Sequence, residues 1–176
     1  METLDLERIR DGFPGITPTL GGVLLEACLV CLEKQNHEPG TILHVYGDWN
    51  VDVELRWNTA VDDQMRRAWS NQNEMTEKAA ICLVALLVNQ LTSYMPLAQA
   101  DINSGIDYWL MSKLTPEIDE PSGRLEVSGI FTGTTAQMTR RFQMKLIQSD
   151  RSDVTNLPAI IGIAEFSKPQ TQLEKK

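Results

Sequence analysis

A length of 176 residues with 42% apolar content suits one domain, residues 1–176, with a substantial core, and leaves no room for a second of ordinary size. The net charge of −8 makes the field of the whole molecule repel nucleic acid, so any contact with a polyanion has to be local. Cys28, Cys31 and Cys82, an odd count in apolar helix-like segments, give no support to a disulfide framework and suit reduced thiols in the cytoplasm.

The first ten residues alternate charged and apolar side chains, unlike the basic start and apolar stretch of a secretory signal. From Leu20 to Lys34, apolar residues recur at helical spacing and predict a first helix, closed by Pro39-Gly40. Its Cys28-x-x-Cys31 pair has no second pair and no nearby His to complete a zinc site, so both cysteines are expected in the core. Thr41–Tyr46 and Val51–Trp57 read as an antiparallel hairpin around Gly47-Asp48-Trp49-Asn50, because the second strand alternates Val51, Val53, Leu55 and Trp57 with polar residues. The aromatic residues here, Tyr46, Trp49, Trp57 and the later Trp69, suit either a partner-binding surface or packing back onto the sheet.

A short helix near Val61–Trp69 leads through Asn71-Gln72-Asn73-Glu74, a capping-box pattern, into a long helix expected from Thr76 to Leu97. Its first half is apolar all round and must be covered on most sides. Asn89, Gln90, Thr92, Ser93, Pro96 and Gln99 make the rest of the uncharged run too polar to span a membrane. Two short strands follow near Ile106–Leu110 and Leu125–Ile130, then a helix from Thr134 to Gln148 and a loop containing Asp and Ser. Ala159–Phe166 is a nearly continuous apolar run, as in a strand buried on both faces, and the polar stretch 168–176 is expected to fray. The expected fold is α/β (α+β): a central mixed β-sheet flanked by helices, with an N-terminal helix and antiparallel hairpin added to a helix–strand–strand–helix–strand core.

Two acids on the paired strands carry the chemistry of interest. Asp107 in Gly105-Ile106-Asp107-Tyr108 and Glu126 in Leu125-Glu126-Val127-Ser128 can share one ion if the strands are neighbours and the two faces coincide. From about residue 76 to 167, this order and these acids resemble the PD-(D/E)xK, or restriction-endonuclease-like, superfamily. The resemblance implies metal-dependent phosphodiester hydrolysis, a hydrolase of the nuclease class, with Asp107 and Glu126 as acids holding Mg2+ or Mn2+ and Glu77 on the long helix as a third carboxylate. The Lys that the family carries two residues after the second acid is Ser128 here. A substitute cation can come from the next helix, where Gln137, Arg141 and Lys145 share one ridge, with Lys145 the best placed.

Each of these acids also has a plain structural reading: a wet strand face for Asp107 and Glu126, a helix start for Glu77. Arg66-Arg67 and Arg140-Arg141 with Lys145 suit ordinary solvated helix faces. The sequence therefore leaves open a second function class, a non-catalytic accessory or interaction protein on the same scaffold, which Ser128 and the acidic charge favour. Expected partners are nucleic acid in the first class and another protein, or a second copy of the chain, in the other. His37 and His44 have no nucleophile beside them, and Gly129–Gly133 lacks the spacing and the Lys of a phosphate loop.

Overall fold

The structure, a computed structural model, describes residues 1–117, 119–150 and 155–176. Its centre is a mixed sheet of eight strands, which confirms the expected α/β class. In chain order the strands are β1 (Glu2–Asp5), β2 (Ile42–Gly47), β3 (Val51–Arg56), β4 (Tyr94–Gln99), β5 (Tyr108–Ser112), β6 (Gly123–Ile130), β7 (Ala159–Glu165) and β8 (Gln170–Lys175). They lie side by side as β1-β3-β2-β8-β7-β6-β5-β4. The helices are α1 (Pro18–Lys34), α2 (Asp63–Ala68), α3 (Gln72–Leu91) and α4 (Thr135–Ser149), with a 3-10 turn over Leu6–Asp11.

Helices α1 and α3 pack on one face of the sheet over the larger core, where Cys28, Cys31 and Cys82 are buried as free thiols. Trp49, Trp57 and Trp69 also pack against this core, which favours the inward reading of the aromatic residues. Apolar surface all round α3 is thus explained, because α1 covers one side and the sheet another. The opposite face of β6 and β7 carries α4, whose Met138 and Phe142 meet Ile161 and Ile163 in a smaller core. Strand β6 runs parallel to β7, so α4 is the crossover that parallel neighbours require. None of the helices described is long and apolar enough to cross a membrane.

Two expectations fail, each for a local reason. The long helix stops at Leu91, and Tyr94–Gln99 is strand β4. Thr92 turns the chain: its hydroxyl donates to the Val88 carbonyl at 2.6 Å and accepts from the Tyr94 N–H at 3.0 Å, so it leaves the helical path. Pro96 is tolerated because β4 is an edge strand paired only with β5, with a register shift between Pro96 and Ala98. The stretch 168–176 does not fray. As β8 it lies inside the sheet, parallel to β2 and antiparallel to β7, and its ladders on both sides hold a segment with little apolar content. Strand β1, parallel to β3, had no sequence signal. Residues 151–154 of the Asp- and Ser-containing loop after α4 lie outside the described residues.

Candidate functional site

The site lies where β5, β6, α3 and α4 meet. Asp107 directly precedes β5 and is fastened to β6 twice. Its N–H donates to the Leu125 carbonyl at 2.8 Å, and its Oδ2 accepts the Val127 N–H at 2.7 Å. These two bonds straddle Glu126 and hold the Asp107 carboxylate beside it. The ladder that pairs Tyr108 with Leu125 sets Asp107 opposite Glu126, so that the charge of one carboxylate acts on the other.

Strand β6 alternates strictly. Leu125 and Val127 point into the larger core, whereas Arg124, Glu126 and Ser128 are buried on the other face under α4. On α4, Arg141, Lys145 and Ser149 stand four residues apart and answer them in reverse order. Arg141 Nη1 donates to Ser128 Oγ at 3.0 Å, Lys145 Nζ donates to Glu126 Oε1, and Arg124 Nη1 donates to the Ser149 carbonyl at 3.1 Å. The match is geometric: four helical residues rise about 6 Å, and two strand residues rise roughly 6.6 Å. An antiparallel helix can therefore meet every second strand residue with every fourth of its own. Lys145 also donates to Gln148 Oε1 at 3.3 Å, which keeps its ammonium turned along the helix towards the strand.

Glu126 is 1% exposed, so the solvated strand face that its sequence suggests is not where it lies. Its Oε1 is taken by Lys145, and its Oε2 is buried with no hydrogen-bond donor among the described residues. Burial, followed by the Asp107 charge, pushes its pKa up to about 7 against the downward pull of Lys145. A carboxyl held this way changes charge near neutrality.

Asp107, Tyr108, Ser128, Arg141 and Lys145 line a hollow of about 240 Å³ that is open to solvent, with Glu77 and Lys78 of α3 on its far wall. Of the residues that sequence singled out, Asp107, Glu126 and Lys145 thus come together, while Glu77 lines the rim and is exposed. Among the described residues, no three His, Cys, Asp or Glu side chains converge as a metal-holding group. Helix α3 is brought against β6 at Gly129, where an added Cβ would press into the Thr76 carbonyl oxygen and lie 2.8 Å from the Thr76 methyl. This close approach puts Glu77, one residue on, at the hollow.

The two histidines lie elsewhere. His37 Nε2 is 2.7 Å from the Phe166 carbonyl oxygen, and His44 Nδ1 is 2.7 Å from Asp52 on the exposed hairpin. Sequence reasoning missed the Arg141–Ser128 contact and the polar residues Gln72, Asn73 and Thr132, which line an adjoining hollow with Arg141. Comparison with family models, curated proteins and solved structures finds no match to this chain.

Proposed function

We propose that this protein is a nuclease-like phosphodiesterase whose acids Asp107 and Glu126 hold Mg2+ or Mn2+, with Lys145 as the cation of the site. The observation that carries the reading is the convergence of the Asp107 and Glu126 carboxyl groups and the Lys145 ammonium, from the start of β5, from β6 and from α4, beside a solvent-open hollow that Asp107 and Lys145 line and behind which Glu126 is buried. The order α3, β5, β6, α4, β7 is the order on which the PD-(D/E)xK resemblance rests, with β4 added before β5.

The residues fit a divalent ion. A buried carboxylate oxygen without a donor, Glu126 Oε2, is costly in a folded protein unless a cation or a proton satisfies it. Hard oxygen donors of this kind suit Mg2+ and Mn2+. When bound, such an ion polarises a phosphoryl oxygen and lowers the pKa of its water. The chain's own residues do the rest. Asp107, locked to Val127, presents a carboxylate without reorganisation, and Lys145 offsets charge that develops on the phosphoryl oxygens.

The second reading, a non-catalytic interaction protein, is favoured by the burial of Glu126 behind its ion pair with Lys145. Cleavage assays on labelled single- and double-stranded DNA and RNA with Mg2+ and Mn2+ separate the two. The nuclease reading expects turnover by the wild type and its loss in Asp107→Ala, Glu126→Ala and Lys145→Ala. Equal turnover in wild type and variants, or none on any substrate, supports the second.

A further inference from the structure

Arg141 is the residue whose position the chemistry above leaves unexplained. It is exposed, and one of its five N–H donors is spent on the buried Ser128 hydroxyl. No carboxylate among the described residues forms an ion pair with it. The contact holds a planar guanidinium at the lip of the site with most of its donors facing outward. Such an arrangement suits a phosphate, which guanidinium groups bind through two parallel hydrogen bonds.

Arg141 also stands between two hollows. One is the acid-lined hollow of about 240 Å³. The other, about 490 Å³, is lined by Gln72, Asn73, Thr132 and Phe131, and shares Glu77 and Arg141 with the first. The larger hollow has the size and mixed lining of a site for a small organic group. The amides of Gln72 and Asn73 and the hydroxyl of Thr132 offer both donors and acceptors, as base edges require, and Phe131 gives an apolar wall.

We propose that Arg141 anchors the phosphate next to the one held at Asp107 and Glu126, and that the larger hollow receives the nucleotide between them. The substrate is then a single strand of nucleic acid lying across the joined hollows. This inference rests on the nuclease-like reading of the acids. Charge argues for a single strand over a duplex: a chain of net charge −8 with three cations at the cleft, Lys78, Arg141 and Lys145, can neutralise few phosphates. A duplex interface needs a broad basic face.

The test is fluorescence anisotropy of a labelled eight-residue oligothymidylate in EDTA, across a salt series, with wild type, Arg141→Ala and Arg141→Lys. Loss of the arginine is expected to raise Kd about tenfold and to reduce the slope of log K against log salt by about 0.7, the value for one phosphate on a single strand. Arg141→Lys is expected to keep the slope with a smaller loss, and an abasic strand of equal length to bind more weakly than the thymidylate. The proposal is overturned by an unchanged Kd and slope in Arg141→Ala, by tighter binding of a hairpin duplex of equal charge, or by no strand binding at all. Because EDTA removes any divalent ion, these outcomes do not depend on metal uptake by Asp107 and Glu126. The nuclease reading fails separately, when Mn2+ uptake is the same with and without Asp107 and Glu126 while strand binding through Arg141 persists.

Discussion

Replacing Glu126 by Gln is expected to stabilise the folded protein at pH 8 and to leave it unchanged near pH 4. In the folded chain the Glu126 pKa is about 7, against an ordinary 4.5, because burial and the Asp107 charge outweigh Lys145. Between those two values the folded state keeps a proton that the unfolded chain has released, so stability falls as pH rises through this window. A shift of this size corresponds to about 3 kcal/mol, absent below pH 4.5 and fully developed above pH 7. Gln is a neutral side chain of the same shape, and its carbonyl can still accept from Lys145, so the ammonium is not stranded. Urea unfolding of both proteins in EDTA at pH 4, 6 and 8 measures the gap, provided that m is unchanged. A Gln variant that is less stable at pH 8, or a gap that does not vary with pH, would refute the reasoning and make the ion pair with Lys145 the dominant interaction. The same residue would then hold the fold together, instead of costing stability at the site as activity often does.

Removing the cation tests the other half of the pair. Lys145→Met leaves a buried carboxylate without its partner and is expected to cost about 3 kcal/mol at pH 8 in urea unfolding, and less at pH 5, where Glu126 takes up a proton. Glu165 presents the opposite case. Burial alone would raise its pKa, but hydrogen bonds from Ser167, Lys168 and Gln170 outweigh burial and lower it below 4.5. Its carboxylate therefore stabilises the fold above pH 4.5 and loses this effect as pH falls through the lowered value. Glu165→Gln should accordingly cost about 2 kcal/mol at pH 7 and much less at pH 3, read from urea midpoints. Gly129→Ala is expected to cost about 1–3 kcal/mol, because its Cβ has no room beside Thr76 and α3 must shift away from the cleft. Thermal melting reads that loss directly.

The fold was legible wherever hydrophobic period decided it. Strand β3 alternates, α1 and α3 carry dense apolar surface, and β7 is a run of small and branched apolar residues up to its last, Glu165, so their pattern and their burial agree. Strands β4 and β8 were illegible because neighbouring strands of the sheet create them. Residues Gln170–Lys175 look like a solvated tail until β2 and β7 supply ladders on both sides. Tyr94–Gln99 continues an uncharged run, in which the expected helix runs past Pro96 although the Thr92 hydroxyl turns the chain before it. At the site, Asp107 and Glu126 stood out as acids on short strands, and the four-residue spacing of Arg141 and Lys145 pointed to one face of α4. That Glu126 lies under that face could not be read, since an alternating strand looks the same whether its polar side meets water or a helix. The larger hollow draws Gln72, Thr132 and Arg141 from three segments, and no local pattern joins them.

Isothermal titration calorimetry with Mn2+ at pH 8 tests the central claim most directly. One divalent site is expected on the wild type, and no such heat when Asp107 and Glu126 are both replaced by Ala. Identical heats from the wild type and the double variant would contradict it.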